Sequence, residues 1–265
     1  MLSLDAYKLK WIAIIGMVLN HMVITWWEII PMWLKFPMYA AGGLTFPIMA
    51  YFVVEGYKHT SNLKRYMLRL FVVGLIAMPF HIVALAVPLG GGNPMLYPWL
   101  NILFSIILSL FVLVLYDKIR FRILFWLLYV ILIVPISLLF FEWYFVGVTT
   151  VLLCYIIRND SARRIAPSVF AGVCWLALSL LPMDVPYELM NLGARTPLIA
   201  NADFVAIMPT FAIGCFLAAI LLKNYNGERG KPMKWLFYAF YPLHLFVLAA
   251  VGLMLGFVSL SVFGL

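Results

Sequence analysis

Long apolar runs, each broken by a short polar or turn-forming stretch, extend from the start of the chain to its end. A helix rises ~1.5 Å per residue and a bilayer's hydrocarbon core is ~30 Å thick, so a spanning helix needs about 20 mostly apolar residues. By that measure the pattern predicts about nine spans, at roughly 9–30, 38–57, 66–87, 97–116, 122–140, 142–158, 165–182, 204–222 and 234–258. The breaks carry charge or turn formers: Pro31, Lys58 to Lys64, the Gly90–Pro94 stretch, Asp117 to Arg122, Arg158 to Arg164, Asp184 to Asp203 and Lys223 to Lys231. Only a short turn near Glu142 separates the fifth and sixth stretches, which are expected to form a tight helical hairpin. The longest break, 182–203, reads as an amphipathic lid, a re-entrant element or a plain surface loop. No linker or repeat divides the chain, so 1–265 reads as one domain.

Composition agrees with this pattern. Of 265 residues 66% are hydrophobic and only 11% charged, with a mean hydropathy of +1.07. Soluble domains carry about 25% charged residues. The first apolar run is too long for a signal-peptide core and is read as a retained span. With the N-terminus inside, 16 of the 18 Lys and Arg residues fall in inside positions, and only Lys35 and Arg195 fall outside. The positive-inside rule therefore predicts an all-α polytopic transmembrane helical bundle of the inner (cytoplasmic) cell membrane with a cytoplasmic N-terminus. The net charge of +8 is then a topology signal and a contact for anionic lipid, not a nucleic-acid face. Trp26, Trp27, Trp33, Tyr97, Trp99, Trp143 and Tyr144 gather at span ends, where interfacial aromatic belts lie. Cys154, Cys174 and Cys215 stand singly in apolar runs and read as packing residues.

Ionisable groups inside hydrocarbon are costly and mark candidate function. His21 and His244 fall near the midplane of the first and last spans, His81 in the outer half of the third, and His59 at the inner mouth of the second. Asn20, Glu28, Glu55, Asn101 and Ser105 are further polar candidates. Each also has a structural reading: a neutral histidine hydrogen-bonded between helices, Glu55 snorkelling or paired with Lys58 or His59, Asn101 clamping two helices. The chain has no GxSxG elbow, HExxH pair or phosphate loop. Neither a metal nor haem is expected.

Four segments carry a family resemblance: LKWIAIIGMVLNHM in the first span, GGLTFPIMAYFVVEGYKHTSNLKRYMLRL across the second and third, NILFS in the fourth and KWLFYAFYPLHLFVLAAVGL in the ninth. Together they resemble the TraX family, membrane proteins associated with N-terminal acetylation of conjugative pilin. They are also similar to the acyltransferase-three group, which carries a histidine late in an early helix. The most specific part is Phe46-Pro47, then Glu55-Gly56, then Tyr66 and Arg69-Leu70. The resemblance points to His21, Phe46, Pro47, Glu55, Gly56, Tyr66, Arg69, Asn101 and His244 as site residues. It departs from the family at Asn20, where Asp is usual, and at Gly43, where Arg is usual. The two departures cancel in charge and suggest a lost ion pair between the first two helices.

The resemblance implies an acyltransferase that uses cytoplasmic acetyl-CoA. Lys64, Arg65, Tyr66 and Arg69 open the third helix at the inner surface. Arg65 and Arg69, four apart, share a helix face suited to phosphate oxygens. His21 is the expected general base, since a neutral imidazole can take the proton from an attacking amine or hydroxyl. His244 or Asn101 would orient it or stabilise the oxyanion. Asn20, Glu55 and His81 are expected to line or support the site. The implied partners are the lipid bilayer, an acyl-CoA and a pilin-like protein or other envelope molecule, with no nucleic acid; homo-oligomerisation stays open. Two other readings remain beside this one: a proton-coupled transporter or flippase using the histidines as a relay, and a non-catalytic membrane assembly partner.

Overall fold

The computed structural model describes residues 3–86, 100–180 and 202–256. The Gly90–Pro94 turn, the start of the fourth predicted span, the 182–201 part of the long outer stretch with Arg195, and the last residues of the ninth span lie outside the described residues. The helices are α1 (Ala6–Thr25), α2 (Met32–His59), α3 (Leu63–His81), α4 (Ile102–Lys118), α5 (Arg122–Leu128), α6 (Val134–Phe140), α7 (Tyr144–Ile156), α8 (Asp160–Leu180), α9 (Ala202–Ile207), α10 (Thr210–Lys223) and α11 (Lys234–Met254). No strand occurs among the described residues. The protein is an all-α helical membrane protein. Five helical stretches are long and apolar enough to cross a membrane: α1, α2, α3 with its extension to Leu85, α9 with α10, and α11 from Trp235. Arg122–Ser137 and Tyr144–Ile156 form shorter apolar helices.

Local chemistry explains where the helices start and bend. Asp5 caps α1 by accepting the Lys8 N–H at 2.8 Å, and Asn62 caps α3 by accepting the Arg65 N–H at 2.8 Å. A π-helical turn, Ile82–Ala86, extends α3 beyond Pro79. Thr25 on α1 donates to the Ala84 carbonyl within that turn at 2.8 Å, satisfying a group that hydrocarbon could not. The fifth predicted span is one helical run interrupted by a second π turn, Tyr129–Ile133, just before Pro135. A proline ring clashes with the carbonyl four residues back, and a wider turn relieves the clash. Pro209 likewise separates α9 from α10.

α2 is the central helix and packs against α1, α7, α8 and α10, while α11 packs on α3 and α1. The contact of α2 with α10 is made by glycine against glycine. A Cβ on Gly43 would run into the Phe211 carbonyl and Gly214 of α10, and one on Gly214 would run into the Ala40 carbonyl of α2. Small residues let helix backbones approach closely where lipid supplies no hydrophobic drive for association. The outer faces stay apolar: Leu68, Phe71, Val72, Leu75 and Ile76 on α3, and Ile123, Leu127, Val130 and Ile131 along α5 and its π turn.

Side-chain links tie the helix ends together in two groups. At one end, Arg163 at the start of α8 pairs with Glu55 at the end of α2, at 2.6 Å. Tyr57 and Tyr155, from the ends of α2 and α7, both donate to Asp117 near the end of α4, each at 2.7 Å. Arg164 donates to the Tyr225 carbonyl after α10, and the Ala6 N–H donates to the Glu228 carbonyl at 2.9 Å. At the other end, the Glu142 N–H donates to the Leu100 carbonyl at 3.1 Å, and Lys35 lies over the Trp27 ring at 3.7 Å. Successive helical segments therefore alternate in direction. Among the described residues, Lys35 alone of the basic residues falls at the end opposite the basic one.

Candidate functional site

Between α1, α2, α3, α4 and α11 lies a cavity of about 780 Å³ that opens at the basic end. Lys10, His59, Arg69 and Arg229 line its mouth. Asn20, His21 and Tyr66 lie along its length, and Glu142, Trp143 and Tyr241 line its far end. The cavity thus leads from a cationic surface past His21 to an acidic, aromatic end.

His21 and His244 meet in this bundle, on the first and last helices. His21 Nδ1 lies 3.0 Å from His244 Nε2, with the rings 14° from parallel. The other ring nitrogen of His244, Nδ1, lies 3.0 Å from the Phe240 carbonyl. A carbonyl only accepts, so His244 Nδ1 carries the proton and His244 Nε2 is the acceptor. His21 must then donate from Nδ1. Its Nε2 is left with a free lone pair, on a ring that lines the cavity. His244 is not among the cavity-lining residues; it holds His21 in one tautomer and one orientation from behind, as the third member of a catalytic triad does.

The mouth differs in part from the sequence expectation. Arg69 lines the cavity, and its Nε is buried with no hydrogen-bond partner among the described residues. Tyr66 lines it too, beside Gly56. Lys64 and Arg65 are exposed and outside the cavity. Four-residue spacing put Arg65 and Arg69 on one face, but only Arg69, one turn further along α3, lines the cavity. Lys10 and Arg229 take the place assigned to them, and nothing in the local sequence distinguished these two from topogenic charge. Glu55 lines the cavity with its carboxylate neutralised by Arg163, 108 positions away; Lys58 is at 4.0 Å, and His59 bonds only the Glu55 carbonyl. At the basic end Arg163 and Arg164 also bind Asp160. Burial opposes ionisation there, but those hydrogen bonds and charges outweigh it and hold the Asp160 carboxyl below the usual carboxylate range.

Two further expectations need correction. Asn101 is fully buried but does not line the cavity. Its Oδ1 accepts the Leu103 N–H at 3.1 Å, capping α4, and its Nδ2 donates to the Gly74 carbonyl of α3 at 2.9 Å and to Met78 Sδ at 3.7 Å. Both ends of the amide are committed, so Asn101 is a helix clamp with no free donor for an oxyanion. Asn20 does not face Gly43. It packs on Gly42, where an added Cβ would lie 2.5 Å from Asn20 Cγ, while Gly43 points at α10. Consecutive helical positions point about 100° apart, so the two departures from the family pattern face different neighbours and form no lost pair. His81, expected to line or support the site, does not line the cavity but is buried behind it, with Nε2 3.5 Å from Oε2 of the cavity-lining Glu142.

Glu142 is the residue the sequence pattern left unused, since it read only as a turn marker. The turn it occupies is unusual: Trp143 and Tyr144 follow with φ of 66° and 46°, a left-handed conformation rare for bulky residues. The Tyr144 N–H bonds the Phe141 carbonyl at 3.1 Å, and Trp143 stacks on Phe46 of α2 with centroids 4.5 Å apart. These contacts hold the Glu142 backbone at the cavity's far end.

No solved structure matches the chain. A curated protein described as "Probable fimbrial assembly protein FimC, serogroup H1", from Dichelobacter nodosus, is 28% identical over 265 residues, covering 96% of this chain and 98% of that protein. The family described as TraX protein matches residues 5–252, from the cap of α1 into α11, and so includes both His21 and His244. The chain belongs to the TraX protein family.

Proposed function

We propose that this protein is an acyltransferase of the cytoplasmic membrane that moves an acetyl group from cytoplasmic acetyl-CoA to an amine or hydroxyl acceptor, with His21 as general base. The observation that carries the reading is the His21–His244 pair, which leaves a free imidazole lone pair on a cavity wall near the bilayer midplane. Acetyl-CoA would supply the acetyl thioester. Arg69, Lys10 and Arg229 would hold its phosphates at the mouth, since guanidinium forks suit phosphate oxygens and Arg69 Nε has no partner among the described residues.

The acceptor's nitrogen or oxygen bonds to the acetyl carbon as the carbon–sulfur bond breaks. His21 Nε2 takes the proton that the acceptor loses and passes it to the departing sulfur. His244 Nε2 accepts a hydrogen bond from the His21 Nδ1–H throughout, and the Phe240 carbonyl steadies His244 in turn. Linked hydrogen bonds of this kind strengthen one another in a low dielectric. A cavity reaching from the basic end to Glu142 has room for donor and acceptor along its length.

The relative named as a probable fimbrial assembly protein, together with the family's association with pilin acetylation, makes a pilin-like subunit our candidate acceptor. The test is transfer of labelled acetyl from acetyl-CoA by purified protein in lipid nanodiscs. The wild type should transfer label and folded His21→Gln protein should not. Equal transfer by both would leave His21 a packing residue.

A further inference from the structure

The far end of the cavity gathers buried polar atoms that the protein leaves without partners. Glu142 Oε2 is buried with no hydrogen-bond partner among the described residues, the Tyr241 hydroxyl near it is buried with only the Ile102 backbone in reach, and both residues line the cavity. Tyr241 is only 6% exposed and lies within electrostatic reach of Glu142. His81, 1% exposed, faces the same carboxylate with Nε2 at 3.5 Å, too far for a good hydrogen bond, and its Nδ1 is unpartnered as well. Native proteins satisfy most buried polar groups, so several unsatisfied ones around one cavity end call for a ligand.

The chemistry of the cluster selects the ligand. Two acids line the cavity, and Arg163 neutralises one of them, Glu55, at 2.6 Å. Glu142 has no Lys or Arg partner among the described residues. Trp143 and Tyr241 line the cavity beside it. The backbone beneath the carboxylate is clamped twice, by the Leu100 carbonyl at 3.1 Å and by the Ser105 hydroxyl, which donates to the Glu142 carbonyl at 2.6 Å. A buried carboxylate without a Lys or Arg partner, with a phenol oxygen near it, fits a small cation carrying N–H donors. This arrangement does not fit an anion or a neutral hydroxyl equally well.

We propose that Glu142, with Tyr241 and His81 around it, binds a primary ammonium group at the end of the cavity remote from the basic mouth and there holds the amino group of the acceptor. This proposal rests on the acyltransferase reading for the fate of the bound amine, though not for its binding. An ammonium cannot attack a thioester until it loses a proton, and its pKa near 8 keeps it charged at neutral pH. The Glu142 carboxylate takes that first proton and yields a neutral amine beside a neutral carboxyl group. The second nitrogen proton goes to His21 as the new C–N bond forms, and from there to the departing sulfur. The Glu142 proton leaves to solvent, so each turnover releases one proton with CoA and the acetylated amine. The two ends of the cavity thereby sort the two substrates by charge, phosphates at the cationic mouth and ammonium at the acidic end.

The experiment compares two probes, alanyl-glycine amide and its lactyl counterpart, in which a hydroxyl replaces the amino group. Binding of each to the full protein in nanodiscs is measured by thermal shift and calorimetry without acetyl-CoA, and acetylation of each is measured separately. Wild type should bind the amine probe at least tenfold tighter than the hydroxyl probe, and Glu142→Gln should remove that preference while binding acetyl-CoA as wild type does. Tyr241→Phe, a milder change at the same site, should reduce the preference in the same direction. Equal binding of the two probes, binding of neither, or a preference that survives in folded Glu142→Gln and Tyr241→Phe would overturn the ammonium site. Amine-selective binding without any acetyl transfer would uphold the site and overturn the acyltransferase reading.

Discussion

His21 Nδ1 and His244 Nε2 lie 3.0 Å apart although 223 positions separate the two residues in the chain. Because the Phe240 carbonyl commits the far nitrogen of His244 as a donor, the pair has one sense: His21 donates, His244 accepts, and the basic lone pair belongs to His21. The two histidines therefore have different roles, base and positioning residue, and their variants should behave differently. Loss of a general base costs ~10²–10⁴ in rate, and His21→Gln should show that loss in kcat for acetyl transfer. His244→Gln should lower kcat less, with KM for acetyl-CoA unchanged, and His244→Asn should not recover it, because a shorter amide cannot reach His21. Steady-state kinetics of the three folded variants would check this, and a larger kcat loss in His244→Gln than in His21→Gln would reverse the assignment.

The mouth makes a second distinction, between neighbours one turn apart. Arg69 lines the cavity and Arg65 does not. Arg69→Ala should raise KM for acetyl-CoA by about tenfold, the equivalent of one charge-assisted hydrogen bond at ~1.5–3 kcal/mol partly offset by solvent access. Arg65→Ala should leave it within twofold. Calorimetric binding of CoA to both variants measures this directly, and equal losses in the two would mean that bulk surface charge rather than a site attracts the donor.

At Gly43 the prediction concerns stability. An arginine there would have to displace the Phe211 carbonyl and Gly214 of α10, so Gly43→Arg should lower Tm sharply on its own. Asn20→Asp buries a charge beside Gly42, with Asn20 Nδ2 already unpartnered among the described residues, and should destabilise as well. Combining the two changes should give no recovery. Melting curves of the two single variants and the double variant in one detergent form the cycle, and a double variant more stable than either single one would place the pair in contact after all.

Topology is open to direct labelling. The links between helix ends place Arg120 and Lys35 on opposite sides of the bundle, and the distribution of basic charge assigns the Arg120 side to the cytoplasm. In intact cells, a cysteine at Arg120 should be shielded from a membrane-impermeant thiol reagent, and one at Trp33, 73% exposed near Lys35, should react. The opposite pattern would invert the protein in the membrane and move the acetyl-CoA entrance to the wrong face.

What the sequence determined by itself was everything that depends on local composition and on the solvent. Hydrocarbon demands helices of a certain length and apolarity, and it demands that charge stay at the ends. The runs of apolar residues therefore marked out the helical segments, and the basic breaks gave their alternation. Depth along a helix is also local, at ~1.5 Å per residue, so His21 and His244 could be matched in level before any contact was known. Azimuth is different. Which way a side chain points around its helix, and what it meets there, depends on how helices far apart in sequence pack. Only the tertiary structure decided that Asn20 meets Gly42 and not Gly43, that Arg69 reaches the cavity and Arg65 does not, and that Asn101 spends its amide on α3 and α4. Glu142 illustrates the limit best. In sequence it is a polar residue in a turn, but the left-handed Trp143 and Tyr144, the Leu100 and Ser105 clamps and the meeting of α3 with α11 bring it into the acidic end of the cavity. A site assembled from five helices exists only once those helices are packed, because its parts come within reach of one another through contacts that no local pattern encodes.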